Sequence, residues 1–158
     1  MYKTGDIFNC TSKSIISKMI RWFTKSDYSH TAMFIEIWGQ PFIIESQVDG
    51  VHIHTFDEWQ KKYKYNYVVM RGDTGDEKEF SIRAMSLLGK KYDFKSLLLT
   101  QPIKLKTGII INKKDGKLDS LFCSEFIAWC YKIDDFQMSP EDLFRWQIMR
   151  GFLKINTK

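Results

Sequence analysis

Tyr28-Ser29-His30-Thr31-Ala32-Met33 sets a lone imidazole at the mouth of an apolar run, Ala32-Met33-Phe34-Ile35, whose residue types favour a strand. Thr31 to Trp38 is followed by Gly39-Gln40-Pro41 and then by Phe42 to Gln47. Two β-prone runs around a short Gly/Pro break predict a hairpin. The second run contains Ile43-Ile44-Glu45-Ser46, a carboxylate standing inside an apolar stretch. Farther along, Leu121-Phe122-Cys123-Ser124-Glu125-Phe126 puts a thiol where a helical stripe begins. Cys123, Phe126, Ile127 and Cys130 recur at i, i+3, i+4 and i+7, the spacing of a helix face turned to a core.

Thiol, imidazole and an orienting polar group are the parts of a cysteine nucleophile site. A thiol attacks as the thiolate, and a helix N-terminus favours that charge through its unpaired N–H groups and the macrodipole. Cys123 opens its stripe, so its own amide is the natural donor to an oxyanion. His30, fixed on a strand, could meet a thiol from a facing helix. Glu45 would hold the ring of His30 in the productive tautomer if both residues share a face of the hairpin. The register is not fixed by sequence, so Gln47 is the alternative for that role, and a water-facing Glu45 is the structural alternative. Cys10 and Cys130 read as buried apolar residues. His52 and His54 fall on one face of the run Val51-His52-Ile53-His54. With no second ligand cluster they read as a solvated strand face, and neither a metal nor a cofactor is expected.

Other segments fill in an α+β domain. Ile15, Ile16, Met19, Ile20 and Phe23 predict an amphipathic helix ending near Lys25. Asp49-Gly50 marks a turn before the Val51–His54 strand, and Tyr65 to Arg71 predicts another strand. Asp73 to Glu79 suits a loop and helix start, and Phe80, Ala84, Leu87 and Leu88 form a stripe closed by Gly89. Asp93 suits the cap of a short helix expected through Leu97 to Leu99 and stopped by Pro102, and a basic-tipped hairpin is expected from Thr107 to Leu118. Ser139-Pro140-Glu141-Asp142 combines an N-cap hydroxyl, proline at N1 and first-turn acids. Phe152 to Ile155 reads as a last strand.

The chain has 158 residues, enough for one domain over residues 1–158 with a single core, and its 44% hydrophobic content suits a globular protein. Three cysteines, an odd count without CxxC spacing, argue against a disulfide framework or structural zinc. No apolar run is long enough to cross a bilayer, and Met1 to Asp6 lacks a signal-type apolar region, so a cytoplasmic location is expected. The net charge of +5 is concentrated in Lys61, Lys62 and Lys64 and in Lys104, Lys106, Lys113, Lys114 and Lys117. Solvated loops account for these clusters. A surface meeting anionic lipid headgroups or cell-wall polymer is the sharper alternative. No nucleic-acid-binding motif is present, so nucleic acid is not an expected partner.

Taken in order, Gly5-Asp6-Ile7, Ser29-His30-Thr31-Ala32-Met33, Ile44-Glu45-Ser46 with Gly50-Val51, Tyr92-Asp93, Phe122-Cys123-Ser124-Glu125-Phe126 and Ser139-Pro140-Glu141-Asp142-Leu143 form a pattern. It resembles that of the permuted NlpC-type papain-like cysteine hydrolases. That group includes YiiX-like bacterial proteins and, more distantly, lecithin retinol acyltransferase-like enzymes. The resemblance implies a circularly permuted papain-like α+β fold, with an antiparallel sheet packed against helices and the nucleophile at a helix N-terminus. It further implies Cys123 as nucleophile, His30 as general base and Glu45 as orienter. The expected activity is amidase- or peptidase-type hydrolysis through a thioester, on a small-molecule, peptide or lipid substrate with an amide or ester bond. A lipid-directed acyltransferase or esterase at an anionic membrane surface, and a catalytically silent binding module, are the alternatives. The basic segment Lys104 to Lys117 matches no motif of the family.

Overall fold

A computed structural model describes residues 1–12, 15–63, 66–93, 120–134 and 138–155, apart from the side chains of residues 15, 16, 19, 23 and 24. The short helix expected at Leu97–Leu99, the hairpin over Thr107–Leu118 and the Lys104–Lys117 segment lie outside the described residues.

Six strands, β1 (Ile7–Cys10), β2 (His30–Ile37), β3 (Gln40–Gln47), β4 (Gly50–Thr55), β5 (Tyr67–Arg71) and β6 (Leu153–Ile155), form one sheet in the order β4-β3-β2-β1-β5-β6. Every neighbouring pair is antiparallel. Helices α1 (Ile15–Thr24), α2 (Phe56–Tyr63), α3 (Glu77–Met85), α4 (Cys123–Cys130) and α5 (Pro140–Met149) accompany it. The helix opening at Cys123 and the helix after Ser139 stand where the residue patterns predict them, and the two hairpin strands and the closing strand do so to within two residues.

The sheet is covered on both faces, and this explains why β2 reads as an uninterrupted apolar run. On one face Ile7, Met33, Ile35, Ile44 and Val51 pack with Phe80 and Ala84 of α3, Phe126, Ile127 and Cys130 of α4, and Leu143 of α5. On the other, Phe8, Ala32, Phe34, Ile43 and Val69 pack with Trp59 and Tyr63 of α2. Each fully buried aliphatic or phenyl side chain contributes about 2 kcal/mol of transfer free energy, so neither layer is dispensable. The short edge strand β6 carries Lys154, whose charge discourages pairing with another chain.

Helix α2 does not emerge from the sequence reading above. Its start is signalled by Thr55-Phe56-Asp57-Glu58. The Thr55 hydroxyl accepts the Glu58 amide at 3.4 Å and donates to the Glu58 carboxylate at 2.7 Å. The hairpin turn also differs. Its two central residues are Trp38 and Gly39, both at positive φ (50° and 73°), and Gln40 and Pro41 already belong to β3. In the stripe expected after Phe80, Leu87 is buried and Leu88 is exposed, because α3 ends at Met85 and the chain turns towards Gly89.

The Gly5-Asp6-Ile7 motif has a structural explanation. Gly5 has a φ of +92°, and a Cβ there would stand 2.1 Å from a methyl of Thr74. Buried Asp6 receives two parallel hydrogen bonds from Arg71, 2.7 Å from Nε and 2.6 Å from an Nη, which tie the start of β1 to the end of β5.

Candidate active site

Register decides where the carboxylate goes. In the β2–β3 ladder Ala32 faces Glu45 and Ile37 faces Gln40. Side chains alternate along a strand, so Glu45 shares the face of Ala32 and therefore of His30. That face carries α2. His30 Nε2 lies 2.5 Å from Glu45 Oε2. Trp59 Nε1 donates to the same oxygen at 3.1 Å and the Tyr63 hydroxyl at 3.4 Å, while Gln47 Nε2 donates to Glu45 Oε1. Glu45 is fully buried and does not face water. Gln47 does not touch His30 in its place: it braces Glu45 and accepts Lys62 Nζ at 2.9 Å on its own carbonyl. The phenol ring of Tyr63 lies parallel to the imidazole, centroids 5.7 Å apart with 6° between planes, and fixes the plane of the ring.

Cys123 arrives from the opposite layer. It is the first residue of α4, a helix in which every side chain but that of Trp129 is buried. Burial of the polar members is matched by bonds: Ser124 Oγ donates to the Met138 carbonyl at 2.5 Å, and the Glu125 carboxylate accepts the Phe122 amide at 3.2 Å. The carbonyl of Leu121, two residues before the thiol, accepts the Ser46 hydroxyl at 2.6 Å and is thereby fastened to β3. The thiol stands within hydrogen-bonding reach of His30. Nε2 is engaged by Glu45, so Nδ1 is the ring nitrogen not committed to the carboxylate. The sequence candidates Cys123, His30 and Glu45 thus come together, from the two faces of the sheet, at the start of β2.

Electrostatics follow from this packing. Burial disfavours the charged forms of all three groups. For Glu45 the imidazolium of His30, with help from Lys62 and the Trp59 indole, overcomes burial and brings the carboxyl down to about 2. For His30 the Glu45 charge and hydrogen bonds to Cys123 and Glu45 outweigh burial and raise the imidazole to about 10. Burial pushes the Cys123 thiol up, but the hydrogen bond and charge of His30, with the amide and hydroxyl of Thr31, bring it below the usual thiol range. Cys10 and Cys130 are buried with the opposite result, and their thiols are raised chiefly by desolvation. Thr31 went unnoticed in the sequence. Its buried hydroxyl has the Cys123 sulfur as neighbour and makes no hydrogen bond to another oxygen or nitrogen among the described residues.

A cleft of about 260 Å³ opens beside His30, with Ser29, Gln47, Lys62, Tyr63 and Tyr92 among its walls. Trp59, Lys62 and Tyr63, with Thr31, are site residues that sequence reasoning missed. The Thr55/Glu58 capping pair and the i, i+4 spacing of Trp59 and Tyr63 were the signals that could have found the three on α2. His54 is not merely solvated, since its Nε2 lies 3.5 Å from Glu45 Oε1. His52 pairs with Asp49 at 3.1 Å.

A model of the permuted papain-like amidases, the YaeF/YiiX group known as the C92 family, matches residues 1–99. The chain belongs to this family. The match contains His30 and Glu45, and Cys123 lies beyond it. The C92 member YiiX of Escherichia coli K12, an uncharacterized protein, is 35% identical over 97 residues, covering 58% of this chain and 48% of its own length. A crystal structure of the metalloprotein yiiX from Escherichia coli O157:H7 superposes with a TM-score of 0.63 at 29% identity, over 82% of this chain and 64% of that one. The chain therefore spans about half the length of the curated C92 relative that it matches. Among the described residues no three His, Cys, Asp or Glu side chains are grouped so as to hold a metal ion. No described helix is long and apolar enough to cross a membrane.

Proposed function

We propose that this C92 chain is a thiol-dependent hydrolase of the amidase type, with Cys123 as nucleophile, His30 as general acid and base, and Glu45 as the group that orients His30. The observation that carries this reading is the position of one imidazole between a buried carboxylate at 2.5 Å and a thiol at the first position of a helix. The Glu45 interaction keeps the proton on His30, and His30 keeps the charge on sulfur, so the ground state is a thiolate–imidazolium pair.

The thiolate attacks the carbonyl carbon of an amide or ester. The developing oxyanion is received by the Cys123 amide, one of the helix N-terminal N–H groups that have no intrahelical acceptor. His30 delivers the Nδ1 proton to the leaving amine or alcohol as the C–N or C–O bond breaks, which leaves a thioester on Cys123. Water, deprotonated by the now neutral His30, hydrolyses the thioester and restores the pair. The substrate is a small molecule, peptide or lipid that reaches the thiol through the cleft beside His30.

Alkylation by iodoacetamide across pH 5–9 tests the reading. Cys123 should react at mildly acidic pH far faster than an unperturbed thiol, and Cys123→Ala should abolish that phase with the fold intact. A rate that tracks a free thiol across the whole range would defeat the ion-pair mechanism.

A further inference from the structure

We infer that the cleft beside His30 accepts an acyl group bearing a carboxylate, held by Lys62; the inference rests on the hydrolase reading above. The cleft has small hydroxyl residues, Ser12, Ser17 and Ser29, on one wall and Lys62 and Tyr63 of α2 on another. Among the described residues that line it there is no aspartate or glutamate, and the ionisable bases are His30 and Lys62. The nearby carboxylate, Glu45, is fully buried and already engaged by His30, Trp59 and Gln47.

Lys62 is placed differently. Its side chain is 51% exposed. Nζ donates to Gln47 Oε1 at 2.9 Å and forms an ion pair with Glu45 Oε1 at 3.9 Å, too long for a hydrogen bond. An ammonium has three N–H donors, so this geometry leaves donors for a group entering the cleft. Nζ also stands over the face of the Tyr63 ring, 5.3 Å from its centroid. A cation steadied from two sides, at a cleft without an exposed carboxylate, fits an anionic substrate group better than a neutral one. Lys62 Nζ and His30 Nε2 approach the two oxygens of one carboxylate, at 3.9 and 2.5 Å, so an anion held by Lys62 is to be joined to a carbonyl attacked beside His30 by a spacer of a few atoms.

The matched esters 4-nitrophenyl hemiglutarate and 4-nitrophenyl valerate test this, since they differ only in a terminal carboxylate against a methyl. In each, Cys123 Sγ forms a thioester as the ester C–O bond breaks and 4-nitrophenolate leaves, and water then releases the free acid. The wild-type chain should favour the hemiglutarate by about tenfold in kcat/KM, the scale of one charge-assisted hydrogen bond, with the difference in KM. Lys62→Met should collapse the preference and Lys62→Arg should restore most of it. An absent preference in the wild type, or one unchanged in Lys62→Met, overturns the anion site. Calorimetric binding of glutarate to Cys123→Ala, with and without Lys62→Met, separates the two claims. Lys62-dependent binding in a protein that turns over neither ester keeps the anion site and refutes the hydrolase. Turnover of valerate without binding or preference does the reverse.

Discussion

Ala32 stands directly opposite Glu45 in the β2–β3 ladder, and this pairing turns the carboxylate to the face of His30. Glu45→Gln keeps the shape but removes the charge that holds the imidazolium. If Glu45 orients His30, the acid limb of Cys123 alkylation should move to higher pH, and kcat/KM on any activated ester should fall by about 10²- to 10⁴-fold, the range of general acid–base catalysis, whose upper end is reached when an orienting carboxylate becomes an amide. An unmoved alkylation profile would show that Glu45 has no part in setting the ion pair.

Three thiols share the interior, and among the described residues Cys123 is the one that interacts with an imidazole. Cys123→Ala should eliminate covalent labelling and cost about 1 kcal/mol of stability, since it removes one sulfur from a packed site. Cys10→Ala and Cys130→Ala should leave labelling in place, because burial raises both thiols and His30 stabilises neither. Peptide mapping of the alkylated protein reads the outcome directly.

The Glu45–His30 pair makes folding depend on pH in two directions. The Glu45 carboxyl lies lower when folded, about 2 against an ordinary 4.5, so its contribution is complete above 4.5 and is lost as pH falls towards 2. His30 lies higher, about 10 against 6.5, so its contribution is complete below 6.5 and is lost as pH rises through 10. These are two views of one interaction, on the order of a few kcal/mol, and do not add. Urea unfolding should show stability dropping below pH 4.5 in the wild type and a flatter acid limb in Glu45→Gln.

Thr31 follows His30 on β2 and offers the sulfur an amide and a hydroxyl. Thr31→Val keeps the volume and removes the hydroxyl. The Cys123 thiol should then titrate higher, and Thr31→Ser should return it towards the wild-type position. Thiolate absorbance near 240 nm during a pH titration measures both.

Asp6 lies in a recognisable motif yet has a structural task. Asp6→Asn breaks a paired, buried carboxylate away from Arg71 and should cost about 3 kcal/mol or more, read as a lower urea midpoint. The alkylation profile of Cys123 should stay in place, since neither Asp6 nor Arg71 touches the site.

Much of this arrangement can be read from residue order. Cys123 begins a buried helix because its stripe of apolar residues begins there. Ser139-Pro140 starts another because hydroxyl and ring suit N-cap and N1. The relation of Glu45 to His30 is not legible in the same way, because it hangs on one residue of turn length. A connection over Gly39-Gln40-Pro41 would pair Trp38 with Phe42 and bring Glu45 opposite Ile35, on the face away from His30. The observed two-residue turn at Trp38-Gly39 brings it opposite Ala32. A tryptophan at positive φ is poor turn chemistry, so no local signal announces it. Helix α2 stayed hidden because its polar face, Asp57, Glu58, Lys61 and Lys62, reads as a solvated charge cluster, while Trp59 and Tyr63 on its other face reach Glu45.

Glu45 is also a hub for neutral donors: an indole, a phenol and a primary amide converge on it beside the imidazole. Removing it would orphan several buried groups at once, whether or not any chemistry is at stake. A descendant of this chain that had abandoned hydrolysis would still be pressed to retain the glutamate for the sake of its architecture. In such lineages the sulfur, which few neighbours depend on, would be the first part to drift, and its presence is the better marker of a living enzyme.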